Sequence, residues 1–162
     1  YGRAGERYEF IPTDAPLEPI GPYHSSKAAA TMAAIGLASE RRVSLRVLRP
    51  FHAFGTGEAA FRFWPSLVEA AGRGVDFPMT AGEQVRDFVP VDVVAAKFLR
   101  VLGDPAPPGL PVIENVGGGH PQTVRAFAEK WWHTLQAPGK LLVGAVPYRA
   151  HEVMRYVPQI LA

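Results

Sequence analysis

Apolar and small residues recur at helical spacing from Tyr23 to about Glu40, where the charged letters SERR follow them. This spacing predicts an α-helix that begins near Pro22 and ends in that charged stretch. The next residues, Val43 to Pro50, alternate apolar and polar side chains and predict a β-strand that the proline ends. A helix joined to a strand by a short polar turn is half of a βαβ unit, so we expect a parallel sheet.

Helices and strands continue to alternate along the rest of the chain, which predicts an α/β fold. Further helices are predicted from about Pro65 to Gly72 or Gly74, from an Asp92 N-cap to about Leu102, and from a Thr123 cap onward. Short strands are predicted in VDFPMTA, LPVIENV and KLLVGAVPY, and a loop with a short helix in RAHEVMRYVPQILA. Residues 3–22 hold four prolines without periodicity and predict an extended surface loop.

Composition narrows the class of protein. The 162 residues suffice for a domain with a core, and 48% hydrophobic with 20% charged residues is typical of a soluble globular protein. The net charge of +2 comes from scattered basic residues, so nucleic acid is not an expected partner. The absence of cysteine excludes disulfides and thiolate sites and suits the cytoplasm. The histidines show no metal-ligand spacing, so no metal is expected.

The longest nearly uncharged apolar stretch, Ala28 to Ala38, predicts a core-facing helix rather than a membrane segment. Crossing a bilayer needs about 20 apolar residues, which this stretch does not reach. No basic region followed by an apolar one opens the chain, so no secretory signal is visible. The chain begins without Met and without an anchoring element, and we expect it to be truncated.

The letters GPYHSSKAAA place Tyr23 four residues before Lys27 at the start of the first predicted helix. Residues four apart share one face of a helix, so the phenol and the ammonium lie on the same side. A nearby cation favours the phenolate form, which is what proton exchange at neutral pH requires. The spacing alone is a weak signal, and by itself it favours an exposed pair of polar side chains.

Several separate segments together resemble one known family. They are the initial YG, the loop and helix start PTDAPLEPIGPYHSSKAAA, then LRVLRPFHAFGTGE, GEQVRDFVPVDVVAAKFL, ENVGGG and VPYRAHEVMRY. Their order resembles the extended short-chain dehydrogenase/reductases, the NAD-dependent epimerase/dehydratase family that acts on nucleotide sugars. The resemblance implies the C-terminal part of a Rossmann-like doubly wound parallel sheet in residues 1–60. A small substrate-binding α/β lobe would follow in residues 61–162, with Rossmann elements returning near 92–116.

The family's glycine-rich phosphate turn has no counterpart in this sequence. That turn has the pattern G-x-x-G-x-x-G after the first strand, and its N–H groups hold the cofactor pyrophosphate. The run NVGGGHP, Asn115 to Pro121, lacks the spacing and is read as a turn between a strand and a helix. By resemblance, the catalytic Ser or Thr would precede Tyr1. We therefore expect a fragment, cut at both ends and inactive alone, of a parent that is a homodimer.

The resemblance assigns chemistry to the cofactor end of the site. Tyr23 would be the general acid/base, and Lys27 would favour its phenolate and hydrogen-bond the nicotinamide ribose of NAD or NADP. Pro50 and Phe51 would lie beside the nicotinamide. His52 stands where the family usually has Asn; it would contact the substrate, or else be a packed histidine without a ligand.

The resemblance also assigns a substrate end. Arg86 would contact the diphosphate of the nucleotide sugar, unless it forms an ion pair with Asp87 or Glu83. Arg149 would bind phosphate and Glu152 the nucleotide ribose, although His151 replaces a family glycine between them. The segment DFPMT, residues 76–80, would lie near the base. An alternative is a family member that binds a dinucleotide without catalysis, as a sensor or scaffold.

Overall fold

The computed structural model describes residues 1–160 of the chain, with nine short strands and four α-helices among them. The helices are a 3₁₀ turn Arg3–Arg7, α1 Gly21–Arg41, α2 Phe63–Arg73, α3 Val91–Leu102 and α4 Val124–Thr134. The strands are β1 Arg46–Pro50, β2 Ala53–Phe54, β3 Phe77–Met79, β4 Val85–Arg86, β5 Val89–Pro90, β6 Val112–Val116, β7 Gln122–Thr123, β8 Leu141–Val143 and β9 Arg155–Tyr156.

Most of the strand pairs are parallel, as the alternation of helices and strands predicts. Strand β1 pairs with β6, so that Arg46 lies opposite Val112 and Pro50 opposite Val116. Strands β2 and β5 form a second parallel pair, and β3 and β8 a third. Strand β4 pairs in parallel with β9 and antiparallel with β7. The α/β prediction is confirmed.

The structure confirms the helix ends that the sequence predicts at three helices. Helix α1 carries proline in its first turn and ends at Arg42, whose φ of 51° is left-handed. Helix α2 ends at Gly74 with φ 67°, a conformation that costs glycine little because it has no Cβ. Thr123 caps α4, since its side chain accepts a hydrogen bond from the backbone N–H of Ala126 at 3.0 Å.

Other boundaries differ from the prediction. Strand β1 begins at Arg46 rather than Val43; before the β1–β6 register, the Val43 carbonyl accepts from the Gly109 N–H at 3.2 Å. The N-cap of α3 is Pro90, and Asp92 lies inside the first turn, where its charge suits the helix dipole. No short helix follows Arg149 within the described residues; strand β9 occupies that stretch instead, paired with β4.

The proline-rich segment is not simply a surface loop. Ile11 is completely buried and packs with Ala15 and Phe51. The Ile11 N–H donates to the carbonyl of Val157 at 2.8 Å, and the Ile11 carbonyl accepts from the N–H of Gln159 at 2.9 Å. These bonds satisfy the buried backbone groups through a distant segment, which local periodicity does not reveal.

Helix α1 packs through one stripe only, so the prediction of a core-facing helix is wrong for most of its length. The residues of this stripe are Ala28, Thr31, Ala34, Ile35 and Ala38, of which Ala38 alone is buried. Met32 and Leu37 on the remaining surface are 59% and 58% exposed. An alanine-rich run has no polar face, and its sequence therefore does not indicate which side packs.

Three clusters of buried side chains hold the elements together. The largest joins α2, β3 and α4 through Leu67, Met79, Ala128 and Trp132. Val89, Val94 and Val116 connect α3 to the β1–β6 pair, and the Ile11 cluster covers Phe51. Within residues 1–160, no helix combines the length and the apolar character needed to cross a membrane.

Candidate active site

A cleft of about 590 Å³ lies between the first turns of α1 and the carboxyl end of β1. Side chains at the carboxyl ends of parallel strands converge on one edge, which is where open α/β sheets bind ligands. The residues that line it are Tyr1, Gly2, 17–20, Tyr23, His24, Lys27, Ala28, Thr31, 49–52, His151, Val153 and Tyr156. Five of the site residues predicted from the sequence therefore line this cleft: Tyr23, Lys27, Pro50, Phe51 and His52.

Tyr23 and Lys27 lie one helical turn apart on the face of α1 that borders the cleft. The Lys27 Nζ is 5.6 Å from the centroid of the Tyr23 ring. The first turn is set by Gly21, at φ 81°, and by Pro22, whose fixed φ suits a helix start. The geometry places a cation beside a phenol that remains 68% exposed.

The two other tyrosines of the cleft, Tyr1 and Tyr156, flank Phe51 on its floor. Their ring centroids lie 6.1 and 5.5 Å from that of Phe51. Burial raises the pKa of both phenols, and the Tyr1 hydroxyl donates to Asn115 Oδ1 at 2.6 Å. Both hydroxyls are therefore neutral at physiological pH.

Phe51 and His52 follow directly after β1. The Phe51 N–H donates to the Val116 carbonyl at 2.9 Å, which continues the β1–β6 pairing and buries the Phe51 ring. His52 has φ 26°, a left-handed conformation that Asn and His adopt more readily than most residues. This preference explains how histidine stands where the resemblance expects asparagine.

His52 is exposed and lines the cleft, with the edge of its ring against Phe88 at 5.9 Å between centroids. Partial loss of water around the ring, followed by the positive charges of Arg86 and Arg62, lowers the pKa of His52 to about 4. The ring is therefore neutral at physiological pH and offers one donor and one acceptor.

Arg86 and Glu152 lie behind the cleft wall rather than among its lining residues. The Arg86 guanidinium is buried; it donates to Glu152 Oε1 at 3.3 Å, to the Val85 carbonyl at 2.9 Å and to the carbonyl of Val153. Burial lowers the pKa of Arg86, and the Glu152 carboxylate opposes that shift. The partner of Arg86 is thus Glu152, not Asp87 or Glu83.

Arg149 lies in an exposed turn, where its carbonyl accepts from the Glu152 N–H at 3.1 Å. The neighbouring His151 lines the cleft, as does His24 on α1. Sequence reasoning gave neither histidine a role, and Tyr156 also went unnoticed. The strand pairing between β4 and β9 that brings Tyr156 to the cleft has no signal in the local sequence.

The glycine run after β6 is unsuited to binding a phosphate. The Gly119 N–H donates to Asp87 Oδ2 at 3.0 Å, so a carboxylate occupies the position that an anion would take. A Cβ at Gly117 would lie 2.3 Å from the same oxygen. Among residues 1–160, no cluster of His, Asp or Glu side chains has the arrangement of a metal site.

The model of the family described as NAD dependent epimerase/dehydratase matches residues 1–117. Comparison with curated protein sequences gave no match.

Solved structures share the fold. A UDP-glucose 4-epimerase from Thermotoga maritima, with UDP-glucose, superposes with a TM-score of 0.79 at 22% identity, covering 93% of this chain and 48% of its own. A dTDP-glucose 4,6-dehydratase from Streptomyces venezuelae, with NAD bound, gives 0.76 at 24% identity, covering 93% and 46%. A UDP-glucose 4-epimerase from Thermus thermophilus, in complex with NAD, gives 0.78 at 22% identity, covering 93% and 49%. The chain spans about half the length of these structures.

Proposed function

The chain belongs to the NAD-dependent epimerase/dehydratase family, and we propose that it forms the acid–base and substrate side of an enzyme that acts on nucleotide-linked sugars with NAD or NADP. An epimerase, a dehydratase and a ketoreductase all fit this site. The observation that carries the proposal is the position of Tyr23 and Lys27, which border the same cleft as Pro50, Phe51 and His52.

In this proposal, the Tyr23 hydroxyl takes a proton from a sugar hydroxyl or gives one to a ketone. The Lys27 ammonium, on the same face of α1, stabilises the phenolate between these two events. The nicotinamide supplies or accepts the hydride when NAD(P) is bound. Phe51 and its flanking tyrosines form an apolar floor that limits access of water to the reacting carbon.

The described residues fit the nicotinamide end of the cofactor. A cleft of about 590 Å³ is of the size that holds a small molecule or one part of a dinucleotide. Lys27 would hydrogen-bond the nicotinamide ribose, and Pro50 and Phe51 would lie against the ring. Residues 1–160 do not form the pyrophosphate contacts, since the Gly117–Gly119 turn already holds a carboxylate.

The substrate end would lie beyond His52. The neutral imidazole would donate one hydrogen bond to a phosphate or sugar oxygen, while Arg86 supplies the positive charge behind it. Glu152 would accept from a ribose hydroxyl, and Arg149, in its exposed turn, would reach phosphate. Residues 76–80 would lie near the base of the nucleotide.

We also propose the division into a Rossmann-like part, 1–60 with 92–116, and a substrate lobe in the rest of 61–162. The exposed Met32 and Leu37 on α1 support a homodimer, because apolar side chains of this size gain by burial. We place the protein in the cytoplasm, consistent with its lack of cysteine.

Replacement of Tyr23 by Phe tests the function in the protein expressed from its full gene. With UDP-glucose or dTDP-glucose and NAD, turnover should fall by about 10²–10⁴-fold, because only the ionisable hydroxyl is lost. The matched control is Tyr8→Phe, a tyrosine outside the cleft lining, which should leave turnover unchanged. Full activity of Tyr23→Phe would refute the acid–base role. NAD binding without turnover in the wild type would favour the non-catalytic sensor or scaffold.

A further inference from the structure

Asp87 is the completely buried carboxylate on the short connector between β4 and β5. Its Oδ2 accepts the Gly119 N–H at 3.0 Å, and its Oδ1 has no hydrogen-bond partner among the described residues. A Cβ at Gly118 would lie 3.1 Å from Oδ1, so the carboxylate fits closely against the turn that follows β6. Burying a carboxylate with a single hydrogen bond is unfavourable, and stability alone does not account for it.

The connector joins two strands that each bond to a segment lining the cleft. On one side, Arg86 lies opposite Tyr156 in the β4–β9 pair and donates to the Val153 carbonyl. On the other side, the Val89 N–H donates to the His52 carbonyl at 3.3 Å. Tyr156, Val153 and His52 all line the cleft. A shift of the connector would therefore move two sides of the cleft wall together.

Phe88 completes the connection to His52. Its ring stacks on Phe127 with 3.9 Å between centroids and 16° between planes, and it meets the His52 ring edge-on. Asp87 therefore lies between Arg86, which donates to the Val153 carbonyl, and Phe88, which packs against the His52 imidazole. Among residues 1–160, the one hydrogen bond of the Asp87 carboxylate runs to the Gly119 N–H, in the turn that follows β6.

We propose that Asp87 is a positioning residue: its carboxylate anchors the β4–β5 connector to the Gly117–Gly119 turn and thereby fixes His52 and the Arg86–Val153 contact for binding of a nucleotide-linked sugar. This inference rests on the proposed function for its choice of ligand. The predicted effect of Asp87 on the position of His52 does not require a bound ligand.

The test compares Asp87→Ala with Asp87→Asn in the protein expressed from its full gene, by NMR of the histidine side chains. The His52 ring signals are assigned from their loss in His52→Asn. In Asp87→Ala they should move, whereas those of His24 on α1 and His133 on α4 should not. Asp87→Asn keeps an acceptor for the Gly119 N–H, and it should restore most of the wild-type His52 signal.

Leu67→Ala is the control for a merely structural effect. Leu67 is fully buried in the α2–α4 cluster, so its truncation destabilises the protein without touching the connector. It should lower the melting temperature and leave the His52 signals in place. In a calorimetric titration with UDP-glucose, Asp87→Ala should raise Kd about tenfold, and Leu67→Ala should not change it.

Unchanged His52 signals in folded Asp87→Ala would overturn the proposal. If that variant does not fold, Gly118→Ala provides a second test. Its methyl group would press on Asp87 Oδ1 without removing the carboxylate. Unmoved His52 signals in this variant would also exclude the positioning role. Loss of the proposed function is a separate outcome. Full activity of Tyr23→Phe would refute the enzyme mechanism, yet the NMR comparison would stand.

Discussion

The Arg86 guanidinium donates to Glu152 Oε1 at 3.3 Å, so two residues assigned to different parts of a substrate bind each other. Their side chains are 8% and 22% exposed. A ligand diphosphate that approaches Arg86 would compete with Glu152, and a ribose hydroxyl that binds Glu152 would compete with Arg86. We therefore expect the proposed roles of these two residues to couple stability to substrate affinity.

Arg86→Ala should lower both the stability of the protein and its affinity for the substrate. The unfolding free energy should fall by about 1.5–3 kcal/mol, because hydrogen bonds to charged groups are lost and Glu152 is left unpaired. Kd for UDP-glucose should rise about 10–100-fold, while NAD affinity barely changes. Chemical denaturation and calorimetry measure the two effects.

The control for Arg86→Ala is Arg73→Ala, which breaks an exposed pair with Glu69 and should change stability by less than about 1 kcal/mol. Unaltered UDP-glucose affinity in folded Arg86→Ala would make Arg86 purely structural. Arg149 would then be the better candidate for the diphosphate.

His52 should contribute a pH dependence to stability in a defined window. Its pKa is lowered from 6.5 to about 4, so between these values the unfolded chain binds a proton that the folded protein does not. Stability from this group is therefore complete above about pH 6.5 and decreases as the pH falls toward 4. Urea denaturation at several pH values should show a shallower slope in this window for His52→Asn. The same slope in both proteins would contradict the shift.

Glu114 should contribute at lower pH. Lys97 and then Arg46 hydrogen-bond its carboxylate and lower its pKa below the usual 4.5. Stability from Glu114 is thus fully present above pH 4.5 and is lost as the pH falls through the lowered pKa. Glu114→Gln should cost about 1–3 kcal/mol at pH 7 and much less at pH 3.

Glu129→Gln is the control for Glu114→Gln. It weakens the exposed pair between Glu129 and Arg125, and should cost less than about 1 kcal/mol at pH 7. Equal losses in the two variants at pH 7 would show that the Glu114 network adds nothing beyond a surface ion pair.

The cap of α4 gives a smaller, local prediction. Thr123→Ala removes the acceptor for the Ala126 N–H and should lower the unfolding free energy by about 1 kcal/mol, whereas Thr123→Ser should retain most of it. Thr134→Ala is the control, since that hydroxyl donates to Lys130 within the same helix. Thermal unfolding by circular dichroism distinguishes the three variants; equal melting temperatures for Thr123→Ala and wild type would exclude the cap.

The local sequence correctly predicted the features that depend on neighbouring residues. The spacing of Tyr23 and Lys27 placed them on one face of a helix, and glycine and threonine marked the ends of α2 and α4 correctly. The burial of Ile11, by contrast, depends on Val157 and Gln159, far away in the chain. For Arg86, the sequence offers Asp87 or Glu83 as the alternative to a diphosphate contact, whereas the structure pairs it with the distant Glu152.

The bonds between Ile11 and the segment from Val157 to Gln159 also set an order of events during synthesis. The segment around Ile11 emerges from the ribosome well before the residues that pair with it. At about 5–20 residues per second, this interval lasts roughly 7–30 s. Tyr156, on the floor of the cleft, belongs to the same late segment. In a nascent chain of this sequence, Ile11 and Phe51 therefore lack this cover until the segment from Val157 to Gln159 has been translated.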